Sequence, residues 1–150
     1  MCSVIDVRGA LEYQNNALVA RYAERNNVSI EHASLLFQEC KKMLVLMATV
    51  SEPVSPSKRL DEMWHHFILH THEYQDYCNA YLGSFLHHNP TDTPFICNRA
   101  SLFKEAQRMF GSVEKDLWWE NLEGLKLADI AACDSSCSGD NYCKGDIRQN

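Results

Sequence analysis

The sequence predicts an all-α fold, a compact single-domain helical bundle of about five helices over residues 1–131 followed by a flexible cysteine-containing tail over residues 132–150. Three observations carry that reading. Apolar side chains recur every three or four residues in successive segments, no segment alternates as a strand would, and breaks such as Ser51-Glu-Pro-Val-Ser-Pro-Ser57, Gly83 and Gly111 separate the segments. A chain of 150 residues with 45% hydrophobic and 23% charged residues is globular in composition. At that size a chain buries roughly 70% of its unfolded surface, so folding does not require a metal or a disulfide.

Asn15 to Arg25 carries Leu18, Val19, Tyr22 and Ala23 on one helical face. Ser29 precedes a second helix, from about Ile30 to Val50, with Ala33, Leu36, Phe37, Cys40, Met43, Leu44 and Met47 in register and therefore largely buried. The segment Ser51 to Ser57, with two prolines and three serines, ends that helix and lets the chain reverse. Ser57 is placed to cap a third helix, SKRLDEMWHHFIL, and Thr71 a fourth that ends where Gly83 supplies a left-handed residue. The stretch FLHHNPTDTPF is expected to be extended. Ser101 to Phe110 forms a last amphipathic helix closed by Gly111, and Leu117-Trp118-Trp119 is a bulky anchor.

A net charge of −6 and a pI of about 5.6 give no basic surface, which argues against a nucleic-acid partner. The start, MCSVIDVRGALEY, carries Asp6 and Arg8 and no apolar block, so it does not read as a secretory signal. The longest apolar run, Met43 to Val50, falls far short of the roughly 20 residues a bilayer requires. A cytoplasmic protein without membrane association is expected. In that compartment the odd set Cys2, Cys40, Cys78, Cys97, Cys133, Cys137 and Cys143 consists mostly of reduced thiols.

Candidate chemistry concentrates between Leu60 and Pro90. On a helical wheel Leu60, Met63, Trp64, Phe67 and Ile68 share one face, and Asp61 and His65, four apart, lie side by side at its border. His66 falls opposite, with Arg59, Glu62 and His70, and reads as solvated. The next helix turns Tyr74, Tyr77, Cys78 and Tyr81 toward the Trp64 face, so Cys78 points inward. His87 or His88 then folds back over the open end, and His65, Cys78 and one of that pair are expected to converge. Imidazole and thiolate are ligands that zinc prefers, with iron and copper also suited, and Asp61 either binds directly or orients the His65 ring. The plainer alternative keeps Cys78 as a core residue and leaves the histidines to ordinary hydrogen bonds. Cys133-x3-Cys137-x5-Cys143 in the tail is a second-rank metal or redox candidate.

Phosphate-cradling, dinucleotide, zincin and hydrolase-elbow signatures are missing, and HHFILH has the wrong spacing for a zincin. Three functions follow. The first is a metal-binding helical protein, zinc preferred. The second is a metal-free protein–protein interaction module, such as an antagonist of a host or partner protein, presenting Trp118, Trp119 or the acidic surface. The third is a metal-dependent oxidative enzyme using an incomplete ligand set.

Taken in order, Asp61-x-x-Trp64-His65, Thr71-x-x-Tyr74-x-x-x-Cys78 and Gly83-x-x-x-His87-His88-x-Pro90 resemble the glycine-rich domain-containing protein-like family. The resemblance implies that Asp61, Trp64, His65, Tyr74, Cys78, His87 and His88 are the positions that matter, while His66, His70 and His72 are peculiar to this chain. Its members often end in glycine- and cysteine-rich tails, and its plant members are larger and linked to development and stress. The tail here keeps the cysteines with two glycines, Gly139 and Gly145.

Overall fold

Each long helix begins where a short polar side chain satisfies an otherwise unpaired first-turn amide. In the computed structural model, which describes residues 4–51, 54–89 and 99–118, Asn15 accepts from the Leu18 amide to open one helix, Ser29 from His32 to open the next, and Ser57 from Leu60 to open a third. The elements are α1 (Val7–Glu12), α2 (Asn16–Asn26), α3 (Ile30–Thr49), α4 (Lys58–Leu69), α5 (Thr71–Tyr77), α6 (Arg99–Phe110) and α7 (Lys115–Trp118). The last turn of α5 widens into a π-helical segment, Cys78–Leu82, closed by Gly83 at φ 79°. No strand occurs among the described residues, so the all-α expectation holds.

Two details differ from the sequence reading. Helix α1 was not foreseen, because six residues containing Gly9 are too short to show periodicity. Thr71 is the first helical residue of α5 rather than its cap; His70 takes that place and makes no side-chain capping bond. The cause is the near absence of a linker, since His70 both ends α4 and precedes α5. The expected tail at 132–150 lies outside the described residues, as do Cys2, Cys97, Cys133, Cys137, Cys143 and Trp119.

Helix α3 is the axis, packing against α1, α2, α4 and α6. Around it Leu18, Phe37, Cys40, Leu44, Met63, Phe67, Tyr74 and Tyr77 form a continuous core. Phe67 stands at its centre, edge-on to Phe37, Tyr74 and Tyr77 with ring centroids 5.1–5.2 Å apart. Burying each such side chain stabilises the fold by about 1.5–3 kcal/mol, and favourable edge-to-face pairs add about 0.5–1.5. A second cluster, Leu46, Leu102 and Ala106 with Met109, Phe110, Val113 and Trp118, fastens α6 and α7 to the far end of α3. No described helix is long and apolar enough to cross a membrane.

Candidate metal centre

Asp61 and His65 stand one turn apart on α4, as i,i+4 spacing requires. The third member arrives from a different part of the chain. Beyond Gly83 the backbone is irregular, and residues 85–89 run back across α4 and deliver His88 to Asp61. His88 Nε2 donates to Asp61 Oδ1 at 2.8 Å, while His65 Nδ1 lies 3.4 Å from Oδ2 of the same carboxylate. The two imidazole centroids are 4.3 Å apart, and the Trp64 ring lies 4.4 Å from that of His88. The three groups offer donor atoms all within 4.8 Å of one another. Exposure is graded across the site, with side chains 14% accessible at His88, 32% at Asp61 and 52% at His65, so it opens to solvent on the His65 side.

A set of hydrogen bonds holds His88 in place. The Trp64 indole donates to the Tyr74 hydroxyl at 3.0 Å, and that hydroxyl donates to the Leu86 carbonyl at 2.7 Å. The Leu86 backbone also lies close to the Cys78 thiol. Burial pushes the Cys78 thiol up from its ordinary range, opposed by the Leu86 backbone and the Tyr74 hydroxyl. Burial likewise pushes the Tyr74 phenol up. Both are therefore neutral at physiological pH, and the Leu86 carbonyl is held two residues before the donor imidazole.

Of the five expected ligands the structure brings together Asp61, His65 and His88. Cys78 points inward, as the wheel implied, but it is fully buried and engaged with Leu86, outside that group. His87 also stands apart from that group, exposed against the Phe85 ring at 4.8 Å. The tail thiols Cys133, Cys137 and Cys143 lie outside the described residues. Trp118, expected at an interaction surface, packs on the second core cluster and donates its indole N–H to Glu39 at 2.7 Å.

His66 requires a correction. It is 8% exposed, not solvated, and its Nε2 donates to the Leu18 carbonyl at 3.0 Å. Helix α2 covers that side of α4, a tertiary contact that a wheel drawn on α4 alone does not reveal. His70 is also engaged, since Nδ1 donates to the His66 carbonyl at 2.9 Å, leaving Nε2 to accept from Arg21 at 3.3 Å. The residue that sequence reasoning missed is Leu86, an apolar position whose contribution comes from its backbone.

Two imidazoles and a carboxylate form an N,N,O set that suits zinc and other first-row divalent ions. Bonds of 2.0–2.1 Å around a tetrahedral centre place neighbouring donors about 3.3 Å apart. The separations of 2.8 and 3.4 Å run to different oxygens of Asp61, and the three donors lie within 4.8 Å of one another, so side-chain rotations bring them to an ion. Three protein ligands leave a further position for water or substrate.

No curated protein and no solved structure matches the chain. A family model does, that of the UCP032817-like family, over residues 9–110, a span that includes Asp61, His65, His88 and the residues gripping Leu86. The family is an uncharacterised one, and the glycine-rich name suggested by the motifs is not confirmed. The matched span covers more than half of the sequence, and the chain belongs to the UCP032817-like family.

Proposed function

We propose that the protein binds a divalent metal ion, zinc preferred, through Asp61, His65 and His88. The observation that carries this is the position of one carboxylate between two imidazoles from separate chain segments, each facing a different oxygen. Pinning residues 85–89 to α4 needs only the bond between His88 and Asp61. A second imidazole on the other oxygen, open to solvent, supplies a third donor. Imidazole and carboxylate bind a metal only through unprotonated atoms, so protons compete with the ion and affinity falls as pH falls.

The donor set also supports a second reading. Two histidines and one carboxylate with open positions are the ligand set of non-haem iron(II) oxygenases, and this favours an oxidative metalloenzyme over a closed structural site. Zinc and iron(II) are separated by oxygen reactivity, because only iron changes oxidation state.

Calorimetric titration of the untagged full-length chain should find one zinc per molecule. His65→Ala, His88→Ala and Asp61→Ala should each weaken binding by more than about 100-fold, since loss of a mere orienting partner commonly costs 10–100-fold. Absence of stoichiometric metal, or equal affinity in all three variants, overturns the proposal. Anaerobic loading with iron(II) followed by exposure to oxygen tests the second reading; an unchanged absorption spectrum removes it.

A further inference from the structure

The segment that carries His88 is fastened almost entirely by side chains. Among the described residues, no backbone–backbone hydrogen bond outside the helices involves residues 84–89. Among the described residues, the segment is held by the Tyr74 hydroxyl on the Leu86 carbonyl, the partly buried Leu86 side chain packed on the core, the rings of Phe85 and His88 against Tyr74 and Trp64, and the bond between His88 and Asp61. The Leu86 backbone of this segment lies close to Cys78, which is completely inaccessible although it sits in the last helical segment before the chain turns back. The metal donor and the covered thiol are thus two readouts of one closed state.

We propose that Tyr74 is a positioning residue that clamps Leu86 and thereby holds His88 at the metal site, so that metal loading closes residues 85–89 over the Cys78 thiol and withdraws it from reagents. This rests on the metal reading above. Opening of the segment removes His88 from Asp61 and uncovers Cys78 together, so an ion that binds only the closed form must lower the open population. At free metal 100 times the dissociation constant, that population falls by about 100-fold. Coupling is reciprocal: loosening the clamp weakens the metal site without touching a ligand.

Cys40 supplies the internal reference. It is equally inaccessible, but it lies in the middle of α3 and is uncovered only by general unfolding. The test is alkylation of the full-length chain by iodoacetamide, read for Cys78 and Cys40 separately by peptide mass spectrometry, with and without zinc. Without metal, Cys78 should react faster than Cys40, and zinc should slow Cys78 by tens of fold while lowering the Cys78-to-Cys40 ratio. Asp61→Asn should abolish the zinc effect on that ratio, and His88→Ala should leave Cys78 fast in either condition. Tyr74→Phe, which retains the ring but loses the hydroxyl, should weaken zinc binding about 10–100-fold with the helical circular dichroism unchanged. If zinc binds stoichiometrically and the ratio does not move, the clamp inference is overturned and the metal reading stands. If zinc does not bind, both fall.

Discussion

Glu39 and Lys41 lie two residues apart on α3, each 1% exposed, and the helical repeat sends them to opposite sides. Lys41 gives its ammonium to the carbonyls of Leu11 at 2.9 Å and Tyr13 at 2.6 Å, at the end of α1. Burial pulls that ammonium down to about 8, opposed by the neighbouring Cys40. Glu39 accepts from Lys42 at 2.5 Å, from the Glu114 amide at 3.1 Å and from the Trp118 indole at 2.7 Å. One buried carboxylate thus satisfies three donors and ties the C-terminal helices to the axis. Removing one partner of a buried ionic set leaves the others desolvated, which commonly costs about 3–5 kcal/mol. Glu39→Ala should lose stability of that order in denaturant titration and render the link between α6 and α7 sensitive to protease. Glu39→Gln, which keeps a carbonyl acceptor, should lose less. Equal stability of Glu39→Ala and the parent would show that Trp118 is held by packing alone.

Helix α1 exists because of what it touches. Asp6 caps it through the Gly9 amide, the Asp6 amide donates to the Tyr81 carbonyl at 2.8 Å, and the Tyr77 hydroxyl donates to the Ala10 carbonyl at 3.3 Å. Gly9 permits this close approach: a Cβ there would meet the Tyr81 ring at 2.7 Å and collide with the Asp6 carboxylate. Alanine would gain about 1 kcal/mol of helix propensity, whereas overpacking costs about 1–3 and the cap is disturbed as well. Gly9→Ala should therefore lower the melting temperature and speed hydrogen exchange across residues 7–12; unchanged exchange would mean that α1 is only loosely docked. The same distinction explains what was legible in the sequence. Ser29 and Ser57 announce α3 and α4 because capping is local, and Asp61 with His65 could be read as neighbours because one helix fixes both. Which of His87 and His88 faces Asp61, and whether Cys78 is a ligand or a buried core residue, depends on where an irregular segment lands. That is decided by the grip on Leu86, and side-chain spacing carries no trace of it.

Packed on several sides, α3 and α4 bury polar groups at their contacts, and this sets how the whole molecule responds to acid. His66 lies between α4 and α2, its Nε2 on the Leu18 carbonyl and its ring 5.3 Å from that of Tyr22. Burial lowers its pKa below the ordinary 6.5; the Leu18 carbonyl opposes this, and His70, Arg25 and Arg21 add repulsion toward a further positive charge. As pH falls through about 6.5 the unfolded chain takes up this proton first, so protons favour unfolding. The stability that neutral His66 contributes is complete above that pH and is lost progressively as pH falls toward the depressed folded value. Each unit of separation between the two values corresponds to about 1.4 kcal/mol. Chelated protein is the appropriate sample, since metal ligands carry a pH response of their own. Its melting temperature should drop between pH 7 and 5. His66→Gln, which retains an N–H donor for Leu18 but cannot become charged, should show a shallower drop over the same interval. An identical slope in the variant would assign the acid sensitivity to other groups and leave His66 as a neutral spacer between the two helices.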